Sequence, residues 1–338
     1  MIRGSAFDWA VMFGAAGLTV LLILLLHPLL RRYALARPNA RSSHREPTPQ
    51  GAGIAVIGAT IAVVAGAALL TPDLLHDPLR LSVIFACTIG LAAVGVTDDI
   101  RPLEALPRLL LQAVAVAIVI AALPAELRIV PQLSWWFERA LMLIGGIWFV
   151  NLVNFMDGID WMTVAEVVPL AACLILFGLI AALPSDGMVV ALALGGAMLG
   201  FAPFNRPVAR VFLGDVGSLP IGLLLTWLLA LLADQHLTAA LLLPLYYVAD
   251  ATITLMRRFA KGEQVTQAHR SHFYQRATDN GFSVMEIVGR VFVLNVILAI
   301  LATATVLTPS RVLHIAALAV GCVLVSLLLY RFTQAKPR

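Results

Sequence analysis

Charge is scarce in this chain. Asp, Glu, Lys and Arg make up 12% of its 338 residues, about half the ~25% of an average soluble protein. Apolar residues make up 61% and the mean hydropathy is +0.94, which excludes an ordinary soluble domain. Cysteine is also sparse. Cys87, Cys173 and Cys322 each lie inside an apolar run without metal-ligand spacing, so they read as small packing residues. No internal or inverted repeat stands out, which argues against a secondary transporter. A small-residue cleavage site is missing after the first apolar run, which ends in Arg31-Arg32, so that run is expected to remain as an anchor. No nucleic-acid partner is expected.

What is abundant is long apolar sequence. Windows near the ~20 residues needed to span a bilayer fall at about 9–30, 51–70, 80–96, 106–123, 138–153, 163–183, 187–203, 218–233, 237–256, 286–307 and 311–330. The expected fold is therefore all-α, a single polytopic membrane bundle over 1–338 with about eleven spans. Of the 23 Lys and Arg residues, eighteen lie in the odd-numbered connections and the C-terminal tail. The positive-inside rule then puts those connections and the C-terminus in the cytoplasm, and the N-terminus outside. Trp135 and Trp136 fit an outer aromatic belt. The outer connections are chemically plain, and Asp186 in one of them is expected to be inert.

The polar residues concentrate at the cytoplasmic ends. The fullest stretch is 151–160, Asn-Leu-Val-Asn-Phe-Met-Asp-Gly-Ile-Asp, between two apolar runs. Its carboxylates and carboxamides, including Asn154, Asp157 and Asp160, offer the oxygen ligands that suit Mg2+. Gly158 lets the backbone turn or approach a ligand closely. A polar loop joining two helices is the plainer reading. Asp98-Asp99 closes the third window, either as a solvated helix end or as a pair beside a cation. Phe212-Leu213-Gly214-Asp215 sets a carboxylate among small residues that admit a phosphate, with Phe212 as a stacking surface or an interfacial anchor. His269-Arg270-Ser271-His272 supplies donors suited to pyrophosphate, whereas lone loop histidines are commonly only solvated. The first connection is basic and Gly/Pro-rich, enforcing topology or holding anionic headgroups, with His44 its member of most interest. Asp250, inside the ninth window, is either an intramembrane functional acid or a hydrogen-bonded helix residue.

These motifs, in this order and over nearly the whole chain, resemble the polyprenyl-phosphate N-acetylhexosamine-1-phosphate transferase family. That family includes O-antigen-initiating enzymes and the phospho-MurNAc-pentapeptide translocase. The resemblance implies that Asp98, Asp99, Asp157 and His272 serve catalysis and that Asn154 and Asp215 hold Mg2+, or alternatively Mn2+. It also implies that Phe212 stacks on uracil, while the chemistry of their own stretches makes His44, Arg270 and Asp160 expected substrate contacts. Two positions depart from the pattern: Pro102 stands where an acidic or Lys residue is common, and the histidine triad is reduced to His272-Phe273-Tyr274. The Arg41-Ser42-Ser43-His44 and His269–Gln275 patterns look most like the O-antigen branch.

The implied reaction moves an N-acetylated sugar 1-phosphate from a UDP-sugar of the FucNAc, QuiNAc or GlcNAc class to undecaprenyl phosphate in a bacterial inner membrane, releasing UMP and starting lipopolysaccharide O-antigen synthesis. Whether lipid phosphate attacks directly or after a covalent aspartyl step is left open, as is a homodimer. The alternatives are the MurNAc-pentapeptide reaction, a lipid or ion transporter with Asp250 as its ion site, and an intramembrane aspartyl protease built on Leu213-Gly214-Asp215.

Overall fold

Backbone inside a bilayer has no water to bond to, so an apolar chain must satisfy its own N–H and C=O groups, and helices do so within each segment. The computed structural model describes residues 6–36, 47–264 and 269–336, and they are overwhelmingly helical. The helices are α1 (Ala6–Tyr33), α2 (Gly53–Leu70), α3 (Pro78–Ile100), α4 (Ala105–Ala121), α5 (Trp135–Met156), α6 (Met162–Leu179), α7 (Ser185–Asn205), α8 (Asp215–Leu242), α9 (Leu245–Ala260), α10 (Phe273–Asp279), α11 (Val284–Leu307) and α12 (Arg311–Thr333). A two-residue antiparallel pair, β1 (Leu35–Ala36) with β2 (Thr48–Pro49), brackets the residues between them. The all-α polytopic bundle is thus the observed fold.

Nine of the described helices are long and apolar enough to cross a membrane. The other two expected spans are α4, which has 17 residues, and α9, which has 16. The ninth apolar window is in fact a broken helix. The chain leaves helical geometry at His236 (φ −133°, ψ 54°), where the sequence places an outer connection, and resumes as 237–242. Pro244 then interrupts it again at the start of α9, because proline has no N–H to continue the ladder. Such a break is tolerated at depth where protein surrounds it.

The core sits on α7 and α8, which are buried around most of their circumference, as an apolar helix without a polar face must be. α1, α2 and α6 pack on α7; α2, α3, α5 and α11 pack on α8. Lipid is as apolar as leucine, so close packing rather than water exclusion holds such helices together. Gly196 and Gly200 on α7 illustrate it: a methyl group at either would run into the α1 backbone at Met12 or Ala16. The outer helices bury one stripe each, for example Ala317, Gly321, Val325 and Leu329 on α12.

Candidate active site at the helix ends

Four helix ends converge on one face of the bundle: the C-termini of α3 and α5 and the N-termini of α6 and α8. α3 crosses α8 at Gly95, where any side chain would strike the Asp215 backbone. That contact brings Asp98-Asp99 beside Asp215. The Asp99 carboxylate accepts the first two N–H groups of α8, from Asp215 at 3.0 Å and Val216 at 3.2 Å, and a bond from Gln50 Nε2 at 2.7 Å. A carboxylate at a helix N-terminus satisfies unpaired donors and the helix dipole together. Asp98 faces the other way. It accepts Leu103 N–H at 2.6 Å and pairs with Arg108 Nη1 at 2.6 Å, and the same nitrogen lies 3.5 Å from Asp215 Oδ2. Arg108 thus lies against both the Asp98 and Asp215 carboxylates, which also contact each other.

Asn154, in the last turn of α5, donates through Nδ2 to Asp215 Oδ1 at 2.7 Å and to Ser218 Oγ at 2.9 Å. Beyond it, the 157–161 turn is pinned on several sides. Thr163 Oγ1 donates to Asp157 Oδ1 at 2.5 Å, and Ala209 N–H donates to the buried Asp160 carboxylate at 3.0 Å. Trp161 takes a left-handed conformation (φ 62°), held by its N–H on Asn205 Oδ1 at 2.8 Å and its indole N–H on Ala202 O at 2.6 Å. A bulky residue in that region is strained and persists only where its surroundings enforce it. Withdrawal from water pushes the Asp157 carboxyl up to about 7; the Thr163 hydroxyl opposes the rise, while Asp99 and Asp160 add to it. Gly158 lines the polar cavity described below, and on its other side the Tyr274 hydroxyl fills the space a side chain would need and donates to Phe155 O at 3.0 Å.

Two cavities open here. One, of about 190 Å³, is polar and lined by Gln50, Asp99, Asp157, Asp160, Asn205 and Phe212, among others. The second, of about 510 Å³, has apolar walls from Leu109, Ile144, Ile147, Trp148, Phe155 and Leu255, and a polar end with Arg108, His269, His272 and Gln275. Asn154 and Asp215 are the residues common to both linings. With Nδ2 engaged on Asp215, Asn154 keeps its carbonyl oxygen for a further partner. Among the described residues no three His, Cys, Asp or Glu side chains converge as a ready metal cage. The donor chemistry still fits Mg2+, which takes one or two protein oxygens and completes its shell with water and substrate phosphate. Asp215 and Asn154 are the pair the resemblance implies.

The expected site residues Asp98, Asp99, Asn154, Asp157, Asp160, Phe212, Asp215 and His272 are therefore brought together. Phe212 is half-buried in the wall of the polar cavity, its backbone braced by Pro49 O and by the Gly51 and Ala52 N–H groups. The Gly/Pro-rich first connection thus buttresses the turn that carries Asp215. Arg270 differs: it pairs with Asp279 at 3.1 Å and Thr278 at 2.9 Å, and it lines neither cavity. His44 lies outside the described residues. Asp186, expected to be inert, is buried, and its carboxylate accepts the N–H groups of His76 and Asp77 at 2.6 and 3.1 Å. Sequence reasoning missed Gln50, Arg108, Thr163 and Asn205 as members of the site. Only Arg108 carried a usable signal, as a cation nine positions after Asp99.

The profile of glycosyl transferase family 4 matches residues 81–233, the stretch holding the α3, α5 and α8 motifs. The chain is similar to a Bacillus subtilis protein named "Probable undecaprenyl-phosphate N-acetylglucosaminyl 1-phosphate transferase", 28% identical over 85% of this chain and 84% of the relative. It is similar to decaprenyl-phosphate N-acetylglucosaminephosphotransferase of Mycolicibacterium smegmatis, 27% identical over 75% of this chain and 71% of the relative. It is also 31% identical to phospho-N-acetylmuramoyl-pentapeptide-transferase of Desulforamulus reducens, over 64% of this chain and 72% of the relative.

Proposed function

The chain belongs to glycosyl transferase family 4, the polyprenyl-phosphate N-acetylhexosamine-1-phosphate transferases, and from that premise we propose that it transfers an N-acetylated sugar 1-phosphate from a UDP-sugar to undecaprenyl phosphate, releasing UMP. One observation carries this reading. A polar cavity and an apolar-walled cavity share the wall made by Asn154 and Asp215, as a reaction joining a nucleotide sugar to a lipid phosphate requires. The nucleotide and sugar occupy the polar side, with Phe212 against uracil and Asp157 and Asp160 near the donor. The lipid lies along Leu109, Ile147 and Trp148, with its phosphate toward Arg108 and His272.

Asp215, steadied by Asn154, and the Asn154 carbonyl oxygen would hold Mg2+. A divalent ion held there would supply charge to offset the pyrophosphate and polarise the attacked phosphorus. Phosphate monoesters have a second pKa near 6, so the lipid nucleophile is already mostly ionised at neutral pH. Asp98, committed to Arg108, and Asp99, committed to the α8 N-terminus, then position groups more than they remove protons. The donor is taken to be a UDP-sugar of the GlcNAc, QuiNAc or FucNAc class. The relatives named for GlcNAc transfer and the reduced histidine motif support this choice over the MurNAc-pentapeptide substrate. The product would start O-antigen synthesis on the cytoplasmic face of a bacterial inner membrane.

The test is purified protein with undecaprenyl phosphate, Mg2+ and separate UDP-GlcNAc, UDP-QuiNAc, UDP-FucNAc and UDP-MurNAc-pentapeptide, scored for UMP. Lipid-dependent UMP release from one of the first three is expected. Release from the last alone would overturn the donor assignment, and release from none would overturn the reaction.

A further inference from the structure

Asp250 sits in α9 with no solvent exposure. A carboxylate in such a place is expensive unless donors surround it. Five do. From its own helix come Thr254 Oγ1 at 3.3 Å and Tyr246 OH at 3.4 Å. The other three come from one short segment more than twenty residues later: His272 Nδ1 at 3.1 Å, Phe273 N–H at 3.1 Å and Tyr274 N–H at 3.2 Å. A carboxylate has about four lone-pair sites, so both oxygens are fully engaged by protein. That leaves no coordination for a transported ion, and it gives Asp250 a different task.

A carboxylate oxygen accepts, so the 3.1 Å contact of Asp250 Oδ1 with Nδ1 is the one an Nδ1–H tautomer makes, although the Gln275 backbone N–H also reaches this side chain. The opposite ring edge, bearing Nε2, is then what His272 offers to the cavity it lines with Arg108, Asn154 and Asp215. The ring is held in plane by stacking on His269 at 4.9 Å and Tyr274 at 5.7 Å. Gln275 Oε1 accepts the His272 N–H at 3.3 Å, and Tyr274 reaches back to Phe155 O. The whole α10 entrance is thereby locked to α9 and to the end of α5. A histidine whose second nitrogen is fixed by a carboxylate has a defined tautomer and orientation.

We propose that Asp250 is the positioning residue of the reaction: it fixes His272 in the Nδ1–H tautomer and presents Nε2 to the phosphate of the polyprenyl phosphate. This rests on the reading of His272 as a group facing that phosphate. Asp250 touches no reacting atom; it acts through the His272 ring and through the Phe273 and Tyr274 N–H groups that seat it.

Asp250→Asn keeps the shape but replaces one acceptor oxygen by a donor. It should lower kcat about 10- to 100-fold, the usual cost of removing the group that orients a functional histidine, and leave KM for the UDP-sugar near the parent's. In a His272→Ala background the same change should cost less than in the parent, whereas a role through the Phe273 and Tyr274 N–H groups alone would cost the same in both. A second measurement needs no Asp250 variant. With ¹⁵N-histidine labelling, the His272 resonance, assigned by its loss in His272→Ala, should show a protonated Nδ1 and a bare Nε2 in the neutral ring. An Nε2–H tautomer in the folded parent overturns the proposal, even where Asp250→Asn does not fold. So does Asp250→Asn activity within about threefold of the parent while His272→Ala is inactive. If His272→Ala itself stays within about threefold, the placement of His272 at the phosphate is what fails.

Discussion

Asn154 and Asp215 lie 61 positions apart in the chain, yet Nδ2 of the first sits 2.7 Å from Oδ1 of the second. The bond links the last turn of α5 to the first residue of α8 at the wall shared by both cavities. It orients the Asp215 carboxylate. Asp215→Asn should therefore fold, because the shape remains and α8 keeps its Asp99 cap. Loss of one electrostatic stabiliser costs about 10²–10³ in rate, and here it should fall on kcat rather than on KM alone. The control is exposed Asp73→Asn, since Asp186 is committed to two backbone N–H groups. Folded Asp215→Asn protein turning over within about threefold of the parent would remove Asp215 from the metal role.

The site was legible because charge is conspicuous in an apolar chain. Asp98-Asp99, the 151–160 stretch and Asp215 each interrupt a greasy background, and that contrast is local. What the sequence hid was pairing. Gln50 reaches Asp99 across 49 positions, and Asp250 meets His272 across 22; no local pattern encodes either. The spans were legible from hydropathy, but not the break at His236 and Pro244, because hydropathy measures solvent preference and not helix continuity. Gly158 lies in a turn and lines the polar cavity, while its contact with Tyr274 was hidden for the same reason as the other pairings.

Orientation can be tested directly. The bias of Lys and Arg toward the connections on the site face predicts that this face is cytoplasmic. In a background lacking the three native cysteines, Lys261→Cys should react with an impermeant thiol reagent only from the cytoplasmic side. Gln132→Cys, in the exposed connection before α5, should react only from outside. Reaction of both from one side would end the alternating topology.

Metal dependence follows from the all-oxygen donor set around Asp215 and the absence, among the described residues, of a soft-ligand cluster there. EDTA should abolish UMP release, and Mg2+ or Mn2+ should restore it. Full turnover in rigorously metal-free buffer would rule out a divalent ion.

Asp157 gives a pH signature. Its carboxyl is pushed up to about 7 in the folded protein, against about 3.9 in an unfolded chain. The folded state thus binds the proton more tightly, and the stability this supplies is complete below about pH 4. It is lost progressively as pH rises toward 7. In metal-free detergent the parent Tm should fall over that interval more steeply than the Tm of Asp157→Asn, which cannot ionise. Parallel curves would show that Asp157 titrates near its ordinary value.

Arg108 stands 2.6 Å from Asp98 and 3.5 Å from Asp215, at the polar end of the apolar-walled cavity. Its place on the lipid side, away from the lining of the polar cavity, separates its role from that of nucleotide contacts. Arg108→Gln removes a hydrogen bond between charged groups, worth about 1.5–3 kcal/mol, or roughly 10- to 150-fold in a rate or affinity. The loss should appear in kcat and in KM for polyprenyl phosphate, with KM for the UDP-sugar nearly unchanged. Arg108→Lys keeps the charge and one nitrogen able to reach both carboxylates, as Nη1 does, but loses the other donors of the planar guanidinium, so it should recover only part of the activity. Asp98 would be left without its cation in Arg108→Gln, so Arg108→Gln/Asp98→Asn should lose less than the sum of the two single changes. If Arg108→Gln instead raises KM for the UDP-sugar and spares the lipid term, the assignment of the two cavities is reversed.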